Sequence, residues 1–162
     1  MKIRLSFPLA IIVTAALVLA TAFFLLSPRV AYTLQATSAY EAAQGRWQAA
    51  HPSSYTIVAV SNSLTQSTGG ANTIRVDDGD IAEAHNPDCP DCPIEVFADF
   101  TVEGLFRRIE AECLHGFPTE FCNVAYHEDL GYPLRIDTYP YNRANQERPS
   151  ITVTELRIGP GD

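Results

Sequence analysis

The chain has 162 residues, of which 19 are acidic and 11 basic, so its net charge is −8, and 46% of its residues are hydrophobic. This composition indicates a globular chain rather than a disordered one, and the length suits one domain. Because an acidic surface repels phosphate groups, we expect no nucleic-acid partner.

The first element is an apolar segment, Phe7 to Leu26, that contains no charged residue. A helix of about 20 residues extends about 30 Å, the thickness of the hydrocarbon core of a bilayer. Lys2 and Arg4 precede the segment, and the positive-inside rule therefore places the N-terminus in the cytoplasm. We expect a single-pass transmembrane helix, a signal anchor, with the membrane as its partner and the rest of the chain extracytoplasmic.

The alternative for the same segment is a signal peptide that is removed. Ala20-Thr21-Ala22 has the small-x-small pattern of a cleavage site, and the protein would then be secreted. The apolar run continues through Phe23 and Leu26, past that site, which favours a retained anchor.

A helix and three strands are predicted next. Ser38 and Glu41 form a capping-box pattern, which predicts that the first helix begins at Ser38, and Pro52 ends it. Tyr55 to Val60 is rich in β-branched residues and predicts a strand. Asp78-Gly79 predicts a hairpin with a two-residue type I′ turn between two further strands. One face of the predicted helix carries Ala36, Tyr40, Ala43 and Trp47.

A second helix and three more strands complete the chain. Thr101 is a suitable N-cap for this helix, and Gly116 is a suitable stop. The helix face would carry Val102, Leu105, Phe106, Ile109 and Cys113. The predicted strands are Cys122 to Tyr126, Leu134 to Thr138 and Ile151 to Ile158. The last strand shows period-two alternation, with Ile151, Val153, Glu155 and Arg157 opposite Thr152, Thr154, Leu156 and Ile158.

This order predicts an α+β fold. After the N-terminal transmembrane helix we expect a single domain with an antiparallel sheet of about five or six strands and two helices, in the order α-βββ-α-βββ. Residues 1–29 would be the membrane anchor or signal segment, residues 30–52 a linker and the first helix, and residues 53–162 the extracytoplasmic domain.

Three segments carry a family resemblance. They are residues 76–81 (VDDGDI), residues 101–109 (TVEGLFRRI) and residues 124–136 (VAYHEDLGYPLRI). They resemble a family of uncharacterised secreted and lipoprotein domains of bacteria, which shows a V-x-N/D-G turn, a T-I-x-x-L-F helix and a Y-D-x-x-x-G-Y-P hairpin. The aspartate of the hairpin motif is His127 here. The resemblance implies a domain of unknown function and names no activity.

Four cysteines are the strongest chemical feature, and an even number outside the cytoplasm favours disulfides. Cys89 and Cys92 flank a Pro-Asp pair that is typical of a type I turn, which brings its ends within disulfide range. Cys113 lies in the last turn of the second predicted helix and Cys122 begins the next strand, so the chain between them reverses its direction. We therefore expect the disulfides Cys89–Cys92 and Cys113–Cys122.

Two other uses of the thiols stay open. A four-thiolate zinc site usually has two closely spaced pairs, and the spacing from Cys113 to Cys122 is long for one. A redox pair at Cys89 and Cys92 would need its first thiol at a helix N-terminus, where the thiol pKa falls. The residues after Pro93 do not predict such a helix.

The sequence contains no nucleophile elbow, no His-Glu-x-x-His helix and no P-loop. We therefore expect no enzyme, and no catalytic, cofactor-binding or metal-binding residue. Tyr132, Tyr139 and Tyr141 form a candidate interaction surface. The preferred interpretation is a binding or interaction module of the cell envelope with an envelope protein as partner. The alternative is a thiol-redox or metal-binding protein that uses Cys89 and Cys92.

Overall fold

The computed structural model describes residues 14, 28–50, 52–62, 69–115, 120–140 and 149–159. The chain divides into two units, Met1–Ala39 and Tyr40–Asp162. In the first unit the described residues, apart from Thr14, form the beginning of a helix. All strands and the candidate site belong to the second unit.

The first helix, α1, is Pro28–Ala50, and it is followed by three strands: β1 (Ser54–Ser61), β2 (Gly70–Asp77) and β3 (Asp80–His85). A 3-10 helix (Ile94–Phe100) then leads into α2 (Val102–Arg108), which continues as a π-helical segment (Ile109–Leu114). The last strands are β4 (Glu120–Tyr126), β5 (Pro133–Pro140) and β6 (Ser150–Ile158).

The strands form one six-stranded sheet in the order β3-β2-β1-β6-β5-β4, with every neighbouring pair antiparallel. Residues along β1 alternate between buried and half-buried, because successive side chains point to opposite faces of the sheet. Ile57 and Ala59 are fully buried on one face, and Ile74 of β2 is buried with them. This face is the inner face of the sheet.

The outer face of the sheet carries charged side chains. The ion pair Arg75–Glu83 joins β2 to β3 at 3.6 Å, and Arg135–Asp137 lies along β5 at 2.8 Å. Polar residues on one face and apolar residues on the other are typical of an antiparallel sheet with one solvated face.

Both helices contribute to the core. Tyr40, Ala43 and Trp47 of α1 are buried, at the helical spacing that the sequence predicted. Leu105 and Phe106 of α2 are also buried, and the rings of Tyr40 and Phe106 meet edge to face at 5.7 Å. The two helices therefore pack against each other through aromatic side chains.

The predicted fold is wrong, because it expected two helices after a transmembrane helix. Between residues 28 and 159, the part that the structure describes holds one six-stranded antiparallel sheet and three helices, the additional one being the 3-10 helix after Pro93. Among the described residues no helix is long and apolar enough to cross a membrane. The segment Phe7 to Leu26 lies, apart from Thr14, outside the described residues. The predicted domain boundaries stay predictions.

Two local predictions are also corrected. Helix α1 already begins at Pro28, so Ser38 is inside the helix and is not its N-cap. The strict alternation predicted for β6 is interrupted by a bulge opposite Val58 and Ala59 of β1. The bulge shifts the face of the following residues, and Leu156 packs against the core.

Gly131 has a left-handed backbone with φ +77°, and a Cβ there would lie 2.1 Å from the carbonyl oxygen of Ala43 in α1. We expect Gly131→Ala to lower the free energy of unfolding by more than about 3 kcal/mol, because it combines backbone strain with a clash against backbone. Gly79→Ala is the matched control, since Gly79 has φ +86° with nothing within 4 Å of the added Cβ. It should cost only about 1 kcal/mol in urea unfolding. Equal losses would contradict this account.

Candidate functional site

A cleft of about 550 Å³ lies in the second unit, between α1 and the segment formed by α2 and the π-helical residues. The turn between β2 and β3 and the residues after α1 line it as well. This volume is in the usual range of about 300–1,000 Å³ for ligand pockets. Apart from the aromatic residues, the polar side chains that line the cleft are Gln44, Gln48, Ser53, Asp78, Glu103, Arg107 and Glu110.

The apolar part of the cleft is formed by Tyr40, Trp47 and Phe106, each less than a tenth exposed. Trp47 meets the ring of Tyr55 edge to face at 5.5 Å and that of Tyr132 at 6.2 Å. These contacts fix the aromatic rings in place, so the cleft has a rigid apolar wall and a polar, solvent-exposed edge.

Glu103 accepts hydrogen bonds from two core side chains. The indole N–H of Trp47 donates to its Oε1 at 3.0 Å, and the hydroxyl of Tyr55 donates to its Oε2. The Tyr55 oxygen in turn accepts the buried backbone N–H of Val102 at 3.1 Å. One carboxylate therefore joins α1, β1 and α2, and its position is fixed by donors that belong to the core.

Burial raises the pKa of the Tyr55 hydroxyl far above its ordinary value, and the charge of Glu103 and the hydrogen bond to it raise this pKa further. The same physical causes act at Tyr40, whose pKa is raised by burial and by the charge of Glu110. Both phenols therefore remain protonated, and Tyr55 remains a donor to Glu103, throughout the physiological pH range.

The electrostatics of the cleft are acidic. Three carboxylates, those of Asp78, Glu103 and Glu110, line it together with the single guanidinium of Arg107. Arg107 Nη2 donates to the carbonyl oxygen of Ala98 at 3.4 Å. Among the described residues no arginine forms an ion pair with any of the three carboxylates.

Both expected disulfides are present in the structure. Cys89–Cys92 spans a Cα–Cα distance of 5.4 Å in the loop after β3, and Cys113–Cys122 spans 5.3 Å between the π-helical segment and β4. Cys113 and Cys122 are buried, whereas Cys89 and Cys92 are half-buried. None of the four lines the cleft. No group of three potential metal ligands occurs in the described part of the chain.

The loop that carries Cys89 is held by a buried amide pair that sequence analysis missed. Asn86 Nδ2 donates to Asn72 Oδ1 at 2.8 Å and to the carbonyl of Gly69 at 3.1 Å. Asn86 Oδ1 accepts the backbone N–H of Asp88 at 2.7 Å. The amides therefore fix the start of this loop on the beginning of β2, independently of the disulfide. An asparagine directly before Pro-Asp was the only sequence signal for this arrangement.

The candidate tyrosine surface has separate parts. Tyr132 is 8% exposed, and its ring stacks on that of His127 at 4.8 Å. Tyr139 is half-buried in β5, two residues after Asp137, on the outer face of the sheet. Tyr141 lies outside the described residues. The structure therefore places Tyr132 and Tyr139 in different surroundings, and a common interaction surface stays a prediction.

His127 occupies the position of an aspartate in the hairpin motif, and the structure indicates what the side chain does there. Its Nδ1 accepts the backbone N–H groups of Asp129 and Leu130 at 3.3 and 3.2 Å. An aspartate oxygen in a turn makes the same kind of bond. The imidazole therefore serves as the acceptor that closes the turn before Tyr132.

Sequence analysis identified Trp47 and Thr101 as structural residues but missed the role of Glu103. The side chain of Thr101 caps α2 by accepting the N–H of Gly104 at 3.0 Å, as predicted. Glu103 is the acidic residue in the first turn that often follows such a cap. Its pairing with Trp47 and Tyr55 depends on long-range packing, with separations of 56 and 48 residues, and no local pattern encodes it.

A family of unknown function, DUF6174, has a model that matches residues 39–158. The match includes all six strands and every side chain that lines the cleft. It agrees with the expected family of uncharacterised domains at that coarse level. No curated protein and no solved structure matches the chain.

Tyr55→Phe should lower the free energy of unfolding at neutral pH by about 1–3 kcal/mol, because Glu103 loses a donor and the buried N–H of Val102 loses its acceptor. The folded-state pKa of Tyr55 is raised, so the stability linked to its protonated form is present below about pH 10 and declines as the pH rises above it. The parent should therefore lose more stability than Tyr55→Phe between about pH 9 and 11.

Tyr132→Phe is the matched control for this titration, since burial alone raises the pKa of Tyr132. It should change the alkaline loss of stability less than Tyr55→Phe does. Urea unfolding of the three proteins over this pH range measures the difference. Identical profiles for the parent and Tyr55→Phe would contradict the role given to the Tyr55–Glu103 bond.

Proposed function

Because the chain belongs to this family of unknown function, whose description assigns no reaction, we propose a function from the site itself. The protein is a non-catalytic binding module of the cell envelope, and its ligand lies in the cleft between α1 and α2. The observation that carries the proposal is the fixed carboxylate of Glu103 within a cleft of about 550 Å³. A rigid, pre-formed site binds with little loss of conformational entropy.

The bonds of Glu103 favour binding over proton transfer. Each of its oxygens already accepts a hydrogen bond from a core side chain, Trp47 or Tyr55. A general base must be within hydrogen-bond reach of a substrate proton and free to accept it. The carboxylate instead resembles a fixed part of a recognition surface, with neighbouring amides of Gln44 and Gln48 that can orient a ligand.

An extracytoplasmic location is part of the proposal. The two disulfides support it, because such bonds persist in oxidising compartments and are rare in the cytosol. A secreted or envelope protein would also meet partners of the envelope, and we propose one of these as the source of the ligand.

A pair of neighbouring substitutions on α1 tests the cleft. Gln48 lines it, while Ala49 is exposed and does not line it. Gln48→Trp should block the cleft, and Ala49→Trp should add the same side chain outside it. Fractions of an envelope extract that contain the ligand should raise the melting temperature of the parent and of Ala49→Trp, because a ligand that binds only the folded state stabilises it. Gln48→Trp should show little or no rise.

The proposal is contradicted if no fraction raises the melting temperature of Ala49→Trp more than that of Gln48→Trp. An equal rise in both would place binding outside the cleft. Melting curves of the variants without extract are the control for folding, and both should remain within about 1 kcal/mol of the parent because both positions are exposed.

The alternative is a redox function of Cys89 and Cys92, and it predicts different effects of cysteine substitutions than purely structural disulfides do. Replacing both Cys113 and Cys122 by serine removes a ten-residue loop constraint worth about 2.7 kcal/mol in the chain-entropy model and leaves buried hydroxyls. Replacing both Cys89 and Cys92 removes a four-residue loop worth about 1.9 kcal/mol at partly exposed positions. We expect the first pair of substitutions to lower the melting temperature more.

Insulin reduction by the parent provides the second readout. The binding proposal predicts no thiol exchange above background and ligand binding that survives loss of Cys89 and Cys92. Thiol exchange that disappears in the Cys89→Ser, Cys92→Ser protein would overturn the proposal in favour of a redox function.

A further inference from the structure

Resting on the proposed function, we infer that the cleft binds a lysine or arginine side chain presented by an exposed segment of a partner protein. The inference concerns the chemical class of the ligand. It starts from the charges that line the cleft and from the partners that those charges have within the chain.

Most arginines with described side chains already have acidic partners. They are paired with a carboxylate of their own element, of a neighbouring strand or of the π-helical segment that continues α2: Arg75, Arg108, Arg135 and Arg157. Among the described residues, the carboxylates of the cleft form no ion pair with an arginine. Arg107 lines the same cleft, but its Nη2 donates to the carbonyl of Ala98.

Two carboxylates at the exposed edge, those of Asp78 and Glu110, lie on different elements. Asp78 belongs to the turn between β2 and β3, where its φ of 50° is part of the tight hairpin. Glu110 belongs to the π-helical segment. With Glu103 between core donors, the cleft holds three negative charges and one positive charge from Arg107. A cationic ligand would neutralise this excess of negative charge, whereas an anionic ligand would be repelled.

The apolar wall fits the rest of a long basic side chain. Lysine and arginine carry aliphatic stems that pack on apolar surface while the charged group remains in a polar environment. Tyr40, Trp47 and Phe106 provide such a surface beside the carboxylates. The face of an aromatic ring also favours a nearby cation over a neutral group.

A peptide segment fits the extent of the cleft better than an isolated amine. From Tyr40 to Gln48 the cleft follows α1 over nine residues, and the eight steps between them extend about 12 Å at 1.5 Å per residue. An extended chain covers this length with about four residues. The net charge of −8 would also increase the rate at which a basic segment meets the protein.

The test uses the full-length chain and a fluorescent peptide of alternating lysine and serine, with fluorescence anisotropy at low salt. The same peptide with every lysine acetylated is the uncharged control, and spermidine is the free-amine control. The parent should bind the lysine peptide at least about 10-fold more tightly than the acetylated one, and spermidine should compete only weakly.

Charge-removing variants identify where the peptide binds. Glu110→Gln and Asp78→Asn keep the side-chain volume, and each should weaken binding about 3- to 10-fold. Glu41→Gln removes the same charge from an exposed position of α1 that does not line the cleft, and it should change the affinity less than about 2-fold. Gln48→Trp should abolish binding, while Ala49→Trp should not.

Several results would overturn the inference. Equal binding of the acetylated peptide would remove the need for charge, and equal weakening by Glu41→Gln would indicate general attraction to an acidic chain. Absence of peptide binding, or binding of spermidine alone, would exclude a basic segment. These results leave the proposed function intact if an extract component still distinguishes Gln48→Trp from Ala49→Trp. If no component does so, the proposed function fails as well.

Discussion

The arrangement of the helices on the sheet depends on one carboxylate, that of Glu103. It accepts hydrogen bonds from Trp47 in α1 and from Tyr55 in β1, while Glu103 itself belongs to α2. The backbone of Val102 binds the same Tyr55 hydroxyl, so the first turn of α2 is attached to the central part of the sheet twice. A charge at the edge of a core is costly unless it is hydrogen-bonded, and here the two donors are themselves buried polar groups that need an acceptor. The carboxylate and its two donors thus satisfy one another's hydrogen-bonding groups, and these bonds fix the position of α2 relative to β1.

The same constraint produces the cleft. Glu103 holds the indole N–H of Trp47, and the ring of Tyr132 meets the same indole edge to face at 6.2 Å. The turn before Tyr132 is closed by His127 and brings Gly131 so near to α1 that only glycine fits. Helix α1 is therefore held by two contacts, the hydrogen bond of Trp47 to Glu103 and the close approach of Gly131 to its backbone. Its remaining exposed side, with the glutamines, faces the segment that carries Glu110 and leaves the space between them open.

Sequence analysis succeeded where structure depends on neighbouring residues. The strand at Tyr55, the tight Asp78-Gly79 turn and the Thr101 cap are all local, and they occur at the expected places. Sequence analysis failed where residues outside the local pattern determine the structure. The capping-box signal at Ser38 was overridden because a helix already running from Pro28 needs no cap there. The 3-10 helix after Pro93 was missed because its buried residues, Phe97 and Phe100, are three positions apart, and this short spacing does not show the repeat of an α-helix. The candidate site escaped detection because its contacts join residues about 50 positions apart.

The chain also separates the groups that stabilise it from those that would recognise a ligand. The buried disulfide ties the end of the π-helical segment to β4, the strand at one edge of the described sheet, which pairs with β5. The outer face of the sheet uses its arginines in short-range ion pairs, which are worth little individually at exposed positions but neutralise that face. What remains is an excess of negative charge at the cleft, beside a wall of aromatic side chains that the core keeps rigid. The side chains that donate to Glu103, Trp47 and Tyr55, are neutral, so the negative charge of the carboxylate is not cancelled and still attracts a cationic partner. A ligand could therefore bind and leave without disturbing the bonds that hold the helices to the sheet.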